Sequence, residues 1–128
     1  MSILNLKAVL IADAITCTGV LALGLFALEP VAALLGLPVA VVSIGAWICL
    51  AAALPMFVVA MQALPHPALV KLIAIGNLGW VAASFAVAAS FAGQMTGIGV
   101  AIVIAQALGV LLFAALEWRG ATPRLAAA

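Results

Sequence analysis

Asp13 is the residue whose type and position most strongly suggest chemistry, because it lies inside a long apolar stretch that follows Lys7. An ionised carboxylate at the centre of a helix in lipid costs about 2.5–3.5 kcal/mol on insertion scales. Acids at such positions therefore pair with another polar group or serve a function. Two interpretations stay open: Asp13 belongs to a hydrogen-bonded clasp between helices, or it forms a proton, cation or ligand site.

Asn77 and Gln106 are the polar side chains that we expect to meet Asp13. Asn77 lies about 9 Å of helical rise beyond Lys71. Asp13 lies equally far beyond Lys7, so Asp13 and Asn77 have the same depth if their helices are parallel. Gln106 lies near the middle of the last apolar segment. The sequence therefore predicts one polar cluster of Asp13, Asn77 and Gln106.

Trp80 and Ser84 follow Asn77 at helical spacing, which places an indole, an amide and a hydroxyl on one face of a helix. Trp47 likewise lies far from any predicted helix end. Packing inside a helical bundle explains both indoles, and the alternative is that they line a cavity for a planar or lipid-like ligand. We therefore add Trp80 and Ser84 to the candidate ligand or ion site.

The remaining reactive side chains form no recognisable catalytic or metal site. The sequence has no Ser–His or Cys–His arrangement, no His-based metal set and no glycine-rich phosphate loop. Cys17 and Cys49 lie in apolar stretches without a CxxC motif, so we interpret them as small buried residues. Glu117 and Arg119 are interpreted as anchors at a membrane surface. We expect no enzymatic activity, no metal and no cofactor.

The composition points to lipid as the main solvent of this chain. Hydrophobic residues make up 70% of it, charged residues 5%, and the mean hydropathy is +1.53. A soluble domain has roughly 25% charged residues and cannot bury so much apolar surface. The net charge of +1, without any basic patch, carries no signal for nucleic acid, so we expect no nucleic-acid partner. Membrane lipids are the expected partners.

Proline, glycine and polar residues divide the chain into four apolar segments. Each segment must be helical, because lipid offers no hydrogen bonds to the backbone. Glu29 and Pro30 are expected to end the first helix, a short helical turn ends at Gly36, and Thr96 is expected to cap the last helix. We predict a single all-α domain over residues 1–128, a four-transmembrane-helix bundle with helices at about 6–28, 38–64, 67–91 and 96–118.

The basic residues predict the orientation of this bundle. Lys and Arg are retained in cytoplasmic loops. Lys7, Lys71, Arg119 and Arg124 all fall on one side of the predicted helices, whereas Glu29 falls on the other. The pattern predicts that both termini lie in the cytoplasm.

Small residues recur at every fourth position of the last helix: Gly97, Ala101, Ala105 and Gly109. Such strips let helices approach closely in lipid. We refer to these four residues as the small-residue strip, and we expect another helix to lie on it. That helix can belong to a second copy of the chain, so a homodimer or a larger membrane complex is a possible assembly.

A weak repeat relates the two halves of the chain. Lys7 and Asp13 have the same spacing as Lys71 and Asn77, at an offset of half the chain length. The hypothesis is that two copies of a two-helix unit lie in parallel orientation, as in some transporters.

Four stretches resemble a family of small bacterial four-helix inner-membrane proteins without an assigned function. They are LIADA at 10–14, LLGLP at 34–38, GNLGW at 76–80 and AQALGVLLFAALEWRG at 105–120. The resemblance implies a multi-pass protein of the bacterial inner (plasma) membrane, and it supplies no catalytic residue.

Two classes of function stay open. The favoured one is a structural or docking bundle, or one that binds a lipid or another small ligand, because the polar residues are too few for a continuous water path. The alternative is a subunit of an oligomeric transporter or channel in which Asp13 couples to protons or cations.

Overall fold

The computed structural model describes the backbone of residues 1–127 and the side chains as far as Thr122. Every regular element in this part of the chain is a helix. Four of the helices are long and apolar enough to cross a membrane. The elements are α1 (Ile3–Phe26), α2 (Leu28–Leu35), α3 (Val39–Met61), α4 (Pro67–Ser90) and α5 (Gly97–Ala127).

The short helix α2 is longer than the single turn that the sequence predicts. Glu29 and Pro30 lie in its first turn instead of marking the end of α1, because a proline near a helix start has no N–H bond to lose. Gly36 ends α2 with φ of +70°, the left-handed conformation that glycine adopts at no steric cost. A side chain at this position would also collide with the backbone of the loop before α5.

Thr96 joins the end of α2 to the start of α5. Its hydroxyl accepts a 2.8 Å hydrogen bond from the Gly99 amide, which confirms the predicted N-cap. The same hydroxyl donates to the Leu34 carbonyl at 2.6 Å, and the Thr96 amide donates to the Leu35 carbonyl at 3.2 Å. The approach is so close that a Cβ at Gly99 would overlap the Leu35 backbone.

The last helix extends well past residue 118, where the sequence predicts its end. Nothing between Arg119 and Thr122 stops a helix, and the Thr122 hydroxyl donates to the Trp118 carbonyl one turn back. Gly120 packs against Leu6 of α1, where a larger side chain would not fit without a shift. The continuation of α5 therefore supports α1 instead of leaving the bundle.

The four long helices pack as two pairs. The α1–α3 and α4–α5 contacts are extensive, α1 and α5 share a smaller seam, and α3 and α4 barely touch. At the α1–α3 contact Gly24 lies directly against Ala46, so that a Cβ on Gly24 would overlap the Ala46 methyl group. The weak α3–α4 contact leaves an opening between the two pairs.

One end of the molecule carries the basic residues. An apolar cluster joins the starts of α1 and α4 to the ends of α3 and α5. Lys7, Lys71 and Arg119 therefore lie at that end, and the Lys71 ammonium is 4.2 Å from the centroid of the Trp118 ring. Glu29, in α2, lies at the opposite end. The side chain of Arg124 is outside the described part.

Candidate functional site

Two buried acids and an amide form the centre of the molecule. Asn77 Nδ2 of α4 donates to Asp13 Oδ2 of α1 at 2.6 Å and to Glu117 Oε2 of α5 at 2.9 Å. Asp13 and Glu117 are 0% exposed, and we call them the carboxyl pair. The structure thus brings Asp13 and Asn77 together as expected, and it adds an acid that the sequence analysis left at the surface.

Glu117 is not a surface anchor, so that prediction is wrong. Glu117 lies on the buried face of α5, whose residues recur at spacings of three and four. This spacing is the signal in the sequence that could have indicated its burial. The neighbours Trp118 and Arg119 hide this signal, because they indicate a membrane surface when the sequence is read linearly. The other buried positions of this face include Gly99, Val103, Ala107, Val110, Ala114 and Ala121.

One oxygen of each buried acid lacks a donor. Asp13 Oδ1 and Glu117 Oε1 are buried and receive no hydrogen bond from the described side chains or backbone. Asn77 Nδ2 bonds to both acids, so the two carboxyl groups lie close together, and two like charges at such a distance favour a proton on one of them. Within the described residues no lysine or arginine pairs with either acid.

Gln106 belongs to a second polar cluster, together with Trp80 and Ser84. The Trp80 indole N–H donates to Gln106 Oε1 at 2.8 Å, and Gln106 Nε2 donates to the Ser84 hydroxyl at 2.9 Å. Gln106 does not bond to Asp13, since it lies about 16 Å of helical rise from Glu117 along α5. The expected single cluster is therefore divided into two.

Residues of both clusters line one cavity between α3 and α4, which we call the α3–α4 cleft. Its volume is about 450 Å³. Most of its walls are aliphatic side chains of the two helices, and Cys17 of α1 and Cys49 of α3 also line it. No group of three metal-binding side chains occurs in the described part of the chain. The polar residues of its floor are Asp13, Thr16, Asn77, Trp80 and Gln106.

The other singled-out residues lie outside the cleft. Trp47 is 54% exposed on the outer face of α3, so the expectation that it packs inside the bundle is wrong. The small-residue strip is exposed along its whole length, and nothing lies within 4 Å of a Cβ built on Gly97 or Gly109. No helix of this chain covers the strip, and its contact with a partner stays a prediction.

Comparison with protein-family models, with curated proteins and with solved structures finds no match for this chain. The resemblance to small bacterial four-helix proteins therefore stays a prediction. Any function rests on the geometry of the cleft and of the carboxyl pair.

Proposed function

We propose that this chain is a four-helix bundle of the bacterial inner membrane, with both termini in the cytoplasm, that binds a lipid-like small molecule in the α3–α4 cleft. The observation that carries the proposal is the cleft itself, an apolar cavity with a few polar groups at its floor.

The outer surface supports a lipid environment. Large apolar side chains are strongly exposed all around the four long helices, with Phe26, Met61 and Leu4 more than three-quarters exposed. Such a surface is not stable in water, whereas it matches the bilayer interior. The basic end formed by Lys7, Lys71 and Arg119 matches a cytoplasmic face.

The shape of the cleft supports a small ligand that enters from the bilayer. Its volume falls within the range of about 300–1,000 Å³ that is usual for ligand sites. Its rim is formed by exposed aliphatic residues of α3 and α4, among them Val58, Leu69 and Leu72. An acyl or alkyl chain can therefore pass between the two helices without crossing a polar surface.

The test uses Trp80 as a reporter inside the cleft. In a background with Trp47→Phe and Trp118→Phe, Trp80 is the only tryptophan left of the three. The protein is reconstituted in nanodiscs that contain phosphatidylcholine with brominated acyl chains, because bromine quenches an indole on contact. We expect strong quenching of Trp80, since the lipid chains reach the cleft.

Two glycines of α4 offer a matched pair for this test. Gly76 lines the cleft and Gly79 does not, and a Cβ built on either meets nothing within 4 Å. Gly76→Leu should fill the cleft and lower the quenching of Trp80, whereas Gly79→Leu should leave it unchanged. Equal quenching in both variants contradicts the proposed function.

A second candidate function, a subunit of a proton-coupled transporter, is favoured by one observation. The carboxyl pair is buried next to the cleft without a basic partner in the described residues, and buried acids in membrane helices often carry protons. The readout is proton flux across proteoliposomes, which Asp13→Asn should abolish. Equal flux in empty liposomes and in wild-type proteoliposomes excludes this candidate.

A further inference from the structure

We propose that the ligand of the α3–α4 cleft is an amphiphile with a protonated amine, and that its ammonium group binds Asp13. The inference rests on the proposed function and names the chemical class of the ligand. It follows from the hydrogen-bonding capacity and the charge of the cleft floor.

The donors at the cleft floor are already engaged. The two N–H bonds of Asn77 Nδ2 go to the carboxyl pair, and those of Gln106 Nε2 go to the Ser84 hydroxyl and the Val103 carbonyl. The Trp80 indole N–H goes to Gln106, and the Thr16 hydroxyl goes to the Ala12 carbonyl. A ligand that offers only acceptors finds no strong donor free at this floor.

An acceptor at the floor, by contrast, is available. Asp13 lines the cleft, and its Oδ1 receives no hydrogen bond although the residue is 0% exposed. A buried acceptor without a donor costs about 1–3 kcal/mol. A ligand that donates a hydrogen bond to Asp13 Oδ1 removes this cost, so the floor selects a hydrogen-bond donor.

The charge of the floor selects a cation among the possible donors. With a proton on Glu117 and none on Asp13, the carboxyl pair carries one negative charge. No basic residue compensates this charge in the described part of the chain. A singly charged ammonium group balances it, whereas a carboxylate or phosphate head group adds repulsion.

Proton binding competes with this ligand, so the groups that face Asp13 must be known. Glu117 faces it from α5 and Asn77 from α4. Cys49 of α3 lines the same cleft, as does Cys17, which lies one turn along α1 itself. Glu117 is the only other acid among them, so protonation of both acids is the event that should displace an ammonium ion.

The experiment compares two ligands of equal chain length, a bromoalkyl amine and a bromoalkyl alcohol. Both are titrated into phosphatidylcholine nanodiscs that hold the full chain with Trp80 as its only tryptophan, and quenching of Trp80 reports their binding. The ratio of amine to alcohol affinity is compared between this protein and its Asp13→Asn variant. Each ligand partitions into the same lipid in both samples, so its partition coefficient cancels in the comparison. We expect the ratio to fall about 10- to 100-fold in Asp13→Asn.

Glu117→Gln serves as the matched control, since it removes the other acid and leaves the Asp13 carboxyl in place. We expect this variant to keep the preference for the amine. An amine preference that survives Asp13→Asn, or that disappears only in Glu117→Gln, overturns the inference. If the alcohol still quenches Trp80 in those cases, the cleft binds ligands and the proposed function stands. If neither ligand quenches Trp80, both proposals fail.

A second measurement needs no substitution at Asp13. In the protein with the intact carboxyl pair, the ratio of amine to alcohol affinity should decrease as the pH is lowered from about 9 to about 4, because protons neutralise the pair while the alkyl amine stays charged. A ratio that is constant over this range overturns the inference even if Asp13→Asn does not fold.

Discussion

Asn77 is the residue that holds the centre of the molecule together. Its amide donates to both members of the carboxyl pair, and no other side chain among the described residues donates to them. Three helices meet at this one amide, because Asp13, Asn77 and Glu117 belong to α1, α4 and α5. The amide therefore links the α1–α3 pair to the α4–α5 pair.

Replacement of Asn77 by leucine tests this role. Asn77→Leu keeps a similar volume but leaves Asp13 Oδ2 and Glu117 Oε2 without a donor, so the free energy of unfolding should fall by about 1–3 kcal/mol. Reversible unfolding in mixed micelles, followed by circular dichroism, measures the change. Asn5→Leu is the control, since Asn5 is exposed and, among the described residues, only its backbone amide is hydrogen-bonded to a side chain. Equal effects of the two substitutions would show that Asn77 has no special role.

Part of this centre was predictable from the sequence. Asp13 and Asn77 have matching distances from Lys7 and Lys71, and depth in parallel helices is a matter of rise per residue. Glu117 was missed, because its burial depends on which face of α5 turns inward. Tertiary packing determines which face is buried. The sequence alone shows only that Trp118 and Arg119, two residue types common at membrane surfaces, follow Glu117.

Small residues decide which helices of the bundle become partners. Gly24 and Ala46 bring α1 and α3 into close contact, and Cys49 and Ala53 continue the buried face of α3. The small-residue strip of α5 has the same spacing but points outward. Spacing alone therefore does not separate a strip that packs within the chain from one that faces lipid or a partner.

Two glycines of α1 give a matched test of the α1–α3 contact. Gly24→Ala should lower the free energy of unfolding by about 1–3 kcal/mol, because the added methyl group overlaps that of Ala46. Gly19→Ala should raise it by up to about 1 kcal/mol, since nothing lies within 4 Å of its Cβ and alanine favours the helix. The same micelle unfolding assay compares them. A destabilising Gly19→Ala or a neutral Gly24→Ala would contradict this packing.

The positions of the long helices were predictable, and their exact ends were not. Pro67 starts α4 and Gly36 ends α2, as their fixed or free backbone torsions require. The length of α2 and the continuation of α5 depend instead on partners elsewhere in the chain. Thr96 bonds to the end of α2 through the Leu34 carbonyl. Leu6 of α1 packs against Gly120 in the continuation of α5.

The α3–α4 cleft depends on how the two helix pairs pack together, because the α1–α3 pair contacts the α4–α5 pair more closely on one side than on the other. Helices α1 and α4 begin and end at positions that differ by half the chain length, and Asp13 meets its counterpart Asn77 between them. This arrangement fits the hypothesis of two parallel units. The α1–α5 seam is closed, whereas the corresponding α3–α4 seam is open. No feature of the sequence alone shows which seam opens.

The proposed orientation of the bundle can be tested with single cysteines in its loops. After replacement of Cys17 and Cys49 by alanine, Gly93→Cys places a thiol in the loop before α5, and His66→Cys places one in the loop before α4. A membrane-impermeant maleimide added to intact spheroplasts should label Gly93→Cys, and it should label His66→Cys only after permeabilisation. The opposite labelling pattern would invert the orientation, and labelling of both in intact cells would rule out this arrangement of the helices.

Native mass spectrometry of the protein released from its own membrane is the most direct test of ligand binding in the α3–α4 cleft. We expect the wild-type chain and Gly79→Leu to carry one small molecule per chain, with a mass that identifies a lipid-like compound, and an amine in particular. Gly76→Leu, which fills the cleft, should lose it. An absence of any bound molecule in the wild type, or the same occupancy in Gly76→Leu, would contradict a ligand site between α3 and α4.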